Sequence, residues 1–279
     1  MAIAFVEPRS FDEAADRRAL LGPNAEIVAG GTAVRLRMER GEAPPAALIS
    51  LAKIAGHDFI RREADGLHLG ALSRLRAIER SEVVHAFCPA LARAVGWVGS
   101  VRIRNQAMLA GGLAAPDIAV DPPTMLLALD AEVHAADDHR TILLSAFLQH
   151  AAPRPLIDEV RVPALPKTAR ATYLKLTPRS AEARPCVTVA AVADFDESGR
   201  CRSLRLAVGG AVAVPARWPA ADALAAGQVL SDELIADIAA AYANNLVPSG
   251  ASSEPAWYRT DMIRVFVRRA LVEVDRGAG

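Results

Sequence analysis

The sequence predicts an α+β protein in two parts, on three observations. Up to Pro163, short apolar runs broken by Gly or Pro alternate with helical patterns. Pro163 to Pro166 then interrupt the chain and make the best domain boundary. Beyond them, three strand-like runs with a hairpin turn are followed by two helical patterns.

Ser10-Phe11-Asp12-Glu13 is a capping box, so a helix runs on through Leu21 and stops at Gly22-Pro23. Glu26 to Ala29 is a short apolar strand, Gly30-Gly31-Thr32 breaks it, and Val34 to Arg40 reads as a helix closed by Gly41. Such a strand–loop–helix unit aims several backbone N–H groups at one spot, where the helix dipole also favours an anion. Ala47 to Leu51 and Gly66 to Ala71 read as strands, with Ser73 able to cap a following helix. Pro89 to Trp97 reads as another helix. Arg102-Ile103-Arg104-Asn105-Gln106-Ala107-Met108-Leu109-Ala110-Gly111-Gly112-Leu113 reads as a basic strand or turn and then a small-residue loop, with Asp117 and Asp121 beyond it. After Pro122-Pro123 a helix begins at Thr124, and Ala131 to Ala135 and Ile157 to Val162 alternate like strands. In the second part, Thr172 to Leu176, Val187 to Phe195 and Leu204 to Gly210 read as antiparallel strands, with a turn at Asp196 to Gly199. Helices at Asp232 to Asn244 and about Trp257 to Val274 finish the chain.

The bulk numbers exclude several classes. A length of 279 residues suffices for one large domain or two modest ones. Hydrophobic residues at 52% and charged residues at 23% are those of a soluble globular chain. Lys+Arg and Asp+Glu balance at 32 each, so no net charge draws the chain to nucleic acid or an anionic membrane. Met1 to Pro8 has neither the basic start nor the apolar run of a signal peptide, and no apolar run reaches membrane length. Three distant cysteines, Cys88, Cys186 and Cys201, argue against disulfides and for the cytoplasm, and none is spaced for zinc or iron–sulfur ligation. The six histidines show no i,i+4 metal pair and read as surface or satisfied core groups, so no metal site is expected.

Two loops carry the chemistry. Neither Ala29-Gly30-Gly31-Thr32 nor Met108 to Gly112 is a Walker A motif or a G-x-G-x-x-G fingerprint. Each combines bare backbone with flanking strand or helix signals, which suits a nucleotide ligand gripped from two sides. Asp117 and Asp121 read either as paired carboxylates or as loop acids, Asp121 capping the helix near Pro122. Phe87 and Trp97 read as core, and no nucleophile elbow or catalytic residue stands out.

The string from Arg104 to Ala131 resembles a family. In the FAD-binding medium subunits of the molybdenum hydroxylases (the xanthine dehydrogenase and carbon monoxide dehydrogenase group), the second flavin loop reads Arg-Asn-x-Gly-Thr-Leu-Gly-Gly-Asn. It continues Leu-Ala-Asn-Ala-Asp-Pro-Ala-Ala-Asp, then a Leu-rich helix ending Leu-Ala-Leu-Asp-Ala, and this chain follows it ungapped. Ala29 to Ala33 resembles the family's Ala-Gly-Gly-Thr-Asp. Tyr173-Leu174-Lys175-Leu176 with Arg179-Ser180-Ala181, and Trp257-Tyr258-Arg259 with Val267 to Leu271, resemble its C-terminal segments.

The resemblance implies a fold: a two-lobed FAD-binding domain of the vanillyl-alcohol-oxidase (PCMH) type over about 1–166, with lobes of about 1–55 and 56–166. A C-terminal domain of a three-stranded antiparallel sheet plus helices then covers about 167–279. It implies a job too. The chain would be the FAD-containing electron-transfer subunit of a heterotrimeric hydroxylase, taking electrons from the [2Fe–2S] clusters of a small subunit and passing them to an external acceptor. Molybdopterin would sit on a large partner subunit. Residue by residue, Ala29, Gly30, Gly31, Thr32, Ala33 and Val34 would face the pyrophosphate from one lobe, and Met108, Leu109, Ala110, Gly111 and Gly112 from the other. Asp121 would face the adenosine part, Val98 and Ile157 would pack on flavin or adenine, and Lys175 would lie near the isoalloxazine.

The chain departs from the family pattern where the loops meet the ligand. Met108 stands for Thr, Ala110 for Gly, Gly112 for Asn and Ala33 for Asp, while Ala107, Ala115, Ile118 and Ala183 are further changes. Each lost neutral hydrogen bond costs about 0.5–1.5 kcal/mol, so three or four weaken binding about a hundred-fold or more. The same departures suit an alternative, a flavin-weak or flavin-free subunit kept for assembly.

Overall fold

The computed structural model describes residues 3–115, 120–150, 154–177, 184–249 and 254–277. The chain opens with β1 (Ala4–Val6), α1 (Phe11–Leu21), β2 (Ala25–Val28), α2 (Thr32–Glu39) and β3 (Ala47–Ser50). The strands form a parallel sheet in the order β1-β3-β2. The Ser10 hydroxyl caps α1 by accepting from the Glu13 amide at 3.1 Å, as the sequence motif implies, whereas the Glu13 carboxylate reaches one residue past the N-cap and accepts from the Arg9 amide at 2.9 Å.

The middle of the chain is β4 (Ile60–Arg62), β5 (Gly66–Gly70), α3 (Leu75–Arg80), α4 (Glu82–Phe87), α5 (Pro89–Gly96), α6 (Val101–Gln106), α7 (Leu109–Ala114) and α8 (Asp121–Ala128). Then come β6 (Glu132–Ala135), β7 (Arg140–Leu143), α9 (Leu144–Gln149) and β8 (Ile157–Pro163). The strands pair antiparallel in the order β4-β5-β8-β6-β7. On this sheet His68 bonds Glu159 at 2.5 Å and Asp65 at 3.0 Å. Burial pulls its imidazole down, but the two carboxylates outweigh that and leave it raised. His134 bonds Asp158 at 2.6 Å.

The last part holds β9 (Ala169–Leu176), β10 (Val187–Phe195), β11 (Cys201–Gly209), α10 (Pro219–Asp222), α11 (Asp232–Asn245) and α12 (Ala256–Arg276). Its sheet is antiparallel in the order β11-β10-β9. Every residue of β10 is buried, because both faces of the strand are covered. Val189, Ala191 and Ala193 pack with α11 and α12, while Ala190 and Val192 join the core of the first part. The period of two along one strand thus divides two hydrophobic cores.

α8 is the element between them. All eight of its residues are buried. Pro122 and Pro123 sit in its first turn, where a missing N–H costs nothing. Its end is a Schellman motif: Asp130 takes φ 54°, its amide donates to Leu127 O, and the Ala131 amide donates to Leu126 O at 3.0 Å. The Asp130 carboxylate then meets Arg205 at 3.2 Å and Arg217, both in the last part.

Three sequence expectations are corrected. Residues 101–106 and 109–114 are short helices rather than a basic strand and a loop. The Ser100 hydroxyl caps the first of them by accepting from the Ile103 amide, and Ala110 and Leu113 turn inward from the second. Ser73 does not cap a helix; its hydroxyl donates to Phe59 O at 3.0 Å, and α3 begins after Arg74. The buried helix begins at Asp121 rather than Thr124. Asp117 lies outside the described residues, as do Arg179, Ser180, Ala181 and Ala183.

The packing of α8 on the last sheet leaves no room at Gly209. A Cβ there would stand 2.2 Å from Thr124 Oγ1 and 2.8 Å from Thr188 Oγ1. Gly209→Ala should therefore lower stability by about 1–3 kcal/mol, read from the urea midpoint. Adding Thr124→Ala should restore part of the loss, and strictly additive losses would refute the contact.

Candidate functional site

Two cavities share a wall between the first sheet and the second. The larger, 720 Å³, is lined by Ile27, Ala29, Ala110, Gly111 and Ile157 among others. The smaller, 260 Å³, is lined by Ala29 to Val34, Met108, Gly111 and Ala114. Glu26, Ala29, Arg37, Gly111 and Ala114 border both. The two stretches singled out in the sequence thus face one cleft, of a size suited to a small-molecule or cofactor ligand.

The backbone explains the first loop. Gly31 caps α2 at φ 70°, a conformation that glycine adopts without strain. Among the described residues no side chain caps the start of α2, so its positive end is left to the cleft. Gly30 has a different reason to be glycine: a Cβ would lie 1.9 Å from Gln106 O. The loop therefore lies directly on the end of α6, which holds the two stretches in register.

The second stretch offers less than its sequence promised. The Leu109 amide donates to Ser73 O and the Ala110 amide to Ala71 O, each at 3.0 Å, and the Gly112 amide donates to Met108 O at 3.3 Å. Those three donors point into the protein. Gly111 differs: among the described residues its amide has no backbone partner, and a Cβ added there would meet nothing within 4 Å. Leu109 is buried in the core, and neither it nor Gly112 lines the two cavities. Arg104 is also turned inward; its guanidinium grips Glu79 at 2.7 Å and the carbonyls of Val98 and Gly99.

Val98, Asp121 and Lys175 belong elsewhere. Lys175 Nζ donates to Trp97 O at 2.8 Å and pairs with Asp121 at 3.0 Å, while Tyr173 OH donates to Asp121 Oδ1 at 2.6 Å. Both charged side chains are nearly buried, at 3% and 5% exposure. Burial pushes the Asp121 carboxyl up, and Lys175 and Tyr173 pull against it. Burial and the neighbouring carboxylate hold the Tyr173 phenol far above its usual range.

This ion pair bears on the roles implied for its members. An acid at the adenosine end and a lysine at the isoalloxazine end would sit at opposite ends of an extended FAD, yet these two touch. Nor does Asp121 act as an N-cap: it is the first residue of α8, and no side-chain cap is made there. Trp97, read as core, is 38% exposed and lies beside Lys175 Nζ, 5.8 Å from its ring centroid. Sequence reasoning passed over Arg37, although its place one turn after Val34 on α2 puts it on the loop side of the helix.

The residues present fit a dinucleotide such as FAD. An uncapped helix start, the open backbone at Gly111 and two adjoining cavities with apolar and cationic walls are the donor set that a diphosphate between two aromatic ends calls for.

Comparison with known proteins agrees. Residues 1–165 match the FAD binding domain in molybdopterin dehydrogenase, and residues 172–274 match the CO dehydrogenase flavoprotein C-terminal domain. The 6-hydroxypseudooxynicotine dehydrogenase complex subunit alpha of Paenarthrobacter nicotinovorans is 30% identical over 90% of this chain and 87% of its own length. The carbon monoxide dehydrogenase medium chain of Hydrogenophaga pseudoflava is 25% identical over 95% of this chain and 94% of its own. The solved carbon monoxide dehydrogenase of Hydrogenophaga pseudoflava lacking its Mo-pyranopterin moiety superposes with a TM-score of 0.92 at 25% identity, covering 100% of this chain and 99% of that one. Among the described residues, no helix is long and apolar enough to cross a membrane.

Removing Lys175 should strand a buried carboxylate. Lys175→Ala should cost about 3–5 kcal/mol, while Asp121→Asn with Lys175→Met should recover most of it. Without its cation, Asp121 has a folded pKa still further above its unfolded value. Stability is then fully present below the unfolded pKa and falls as pH rises through the folded one. The Lys175→Ala chain should therefore sit closer to wild type at pH 4 than at pH 7 in urea melts; a gap unchanged by pH would refute the pairing.

Proposed function

We infer the function from one premise: the chain belongs to the family of FAD-binding medium subunits of the molybdenum hydroxylases. Its relatives are named as subunits of multi-subunit dehydrogenases, and the chain is an oxidoreductase subunit that carries FAD. Our reading is that it works in a heterotrimer with a molybdopterin-binding large subunit and a small [2Fe–2S] subunit. Bound FAD supplies the redox step, receiving electrons from the iron–sulfur partner and releasing them to an external acceptor. The three cysteines are free and buried, which suits a reducing cytoplasm and leaves the cluster ligands to a partner.

The observation that carries this reading is the meeting of the two loop stretches on one cleft, within a chain matched along most of its length. The work of this chain is binding and orientation. The first-turn amides of α2 would hold the diphosphate, with Gly30, Gly31 and Thr32 keeping backbone near it. Gly111 would add backbone from the second stretch. Ala110 and Ile157 would supply apolar wall in the larger cavity, at the adenosine end. The cluster of Val98, Trp97, Asp121 and Lys175 would serve the isoalloxazine end, with a buried cation to favour negative charge on a reduced ring. A boundary between Pro163 and Ala169, where β8 ends and β9 begins, would divide the FAD-binding part from the C-terminal part.

A second reading, a subunit kept for assembly with a weak flavin site, is favoured by the inward amides of Leu109 and Ala110. The spectrum of the purified complex separates the two. Flavin absorbance in stoichiometric amount supports electron transfer through this chain, and iron and molybdenum without flavin would leave only the assembly role. Gly111→Ala should keep FAD, because there is space for its Cβ. Gly111→Asp should lose FAD by setting a carboxylate in the diphosphate cleft; unchanged flavin content would remove Gly111 from the site.

A further inference from the structure

We propose that Arg37 is a diphosphate-binding side chain of the cleft, paired with Glu26 until a ligand displaces that carboxylate. The proposal rests on the reading of the cleft as the FAD site. Arg37 and Glu26 both border the larger and the smaller cavity, at the wall that these share with Ala29 and Gly111. Their contact runs between Arg37 Nη2 and Glu26 Oε1, and both side chains keep partial exposure, 35% and 28%.

The guanidinium is under-used. Its Nε is shielded from solvent and has no hydrogen-bond partner among the described residues. An arginine offers five donors in a planar fork, and this one spends few of them. The other cations of the cleft are committed. Arg18 donates to Arg154 O and pairs with Asp137, and Arg154 donates to Ala114 O and Leu148 O. Among the described residues, Arg37 is the one of the three whose side chain meets just a carboxylate, and that carboxylate borders the same space.

The chemistry of the neighbours says what it would take. Ala33, Met108, Ala110 and Gly112 bring no polar side chain to the loops, and the amides of Leu109 and Ala110 are turned inward. A diphosphate bound at the start of α2 would find backbone donors but little side-chain charge. Arg37 is the group placed to supply it. Two phosphate oxygens suit the fork better than one carboxylate edge does, and exchange of one anion for the other leaves no charge buried alone.

Titration of the full-length apoprotein with FAD, followed by flavin fluorescence at low and high salt, tests this. Arg37→Gln should raise Kd about tenfold or more, as loss of a charge-assisted hydrogen bond does, and flatten the salt dependence. Arg37→Lys should recover part of the affinity, having charge without the fork. Glu26→Gln should bind FAD at least as tightly as wild type, because the competing anion is gone. Equal weakening in Glu26→Gln and Arg37→Gln would mark a merely structural ion pair and sink the proposal, as would wild-type affinity in Arg37→Gln. A wild-type chain that binds no FAD would overturn the reading of the cleft itself, and the role of Arg37 with it.

Discussion

The structure depends on the burial of α8. A helix with every residue out of water must find a partner for each polar group that it carries, and the C-terminal part supplies most of them. Asp121 at its start takes Tyr173 and Lys175 from β9. Thr124 bonds back to Val120 O and meets Thr188 of β10. Asp130 just past its end takes Arg205 and Arg217. Arg205 also donates to Ala128 O, one of the carbonyls that the end of the helix leaves free. Apolar burial drives the two parts together, and the polar links set their register, since a shift along the helix would leave one of these groups buried and alone.

That constraint reaches the site. The amides of Leu109 and Ala110 are drawn to Ser73 O and Ala71 O, because α7 leads toward α8 and lies against the same core. The second stretch is thereby fixed as scaffold, with Gly111 as its open backbone. The first stretch is freer, since α2 leaves the small parallel sheet with no side chain capping its start. Open backbone donors are therefore unequal between the two walls, with more of them on the α2 wall. Lys175 is held beside Trp97 and Asp121 by the same links that lock α8.

Much of the fold was legible. β10 was bounded to the residue from its apolar run, and α1, α11 and α12 to within a few residues from caps and period. The short strands β1, β4 and β7 were not read: Pro8 follows β1 closely, and paired arginines in β4 and the exposed Arg140-Thr141 of β7 give no apolar run, whereas β2, β3 and β6, no longer, are apolar enough to see. The stretch from Arg102 to Gly112 was misread for a better reason: Gly-Gly and paired arginines look like a loop, and only Glu79, distant in sequence, explains why Arg104 turns inward to brace a helix. The pairing of Asp121 with Lys175 was equally out of reach, since nothing local joins residues on α8 and β9.

The departures of the loop from its family pattern acquire a physical sense here. A side-chain donor on the second wall needs a backbone that presents it, yet the amides of Leu109 and Ala110 are tied to Ser73 and Ala71 and that of Gly112 to Met108 O in its own turn. Met108 and Gly112 in place of Thr and Asn leave the second wall without a hydroxyl and an amide side chain, and Ala33 in place of Asp leaves the α2 wall without a carboxylate, though that wall keeps Thr32 and its backbone amides. Ala110 in place of Gly is tolerated for the same reason: it is nearly buried, part of the packed turn, and its amide is spent on Ala71. Gly111 is the position whose backbone stays open, and it has kept its glycine. Ala33, Met108 and Ala110 still border the cleft, so what the chain lacks there is polar side chains, while bare backbone persists at Gly30, Gly31 and Gly111.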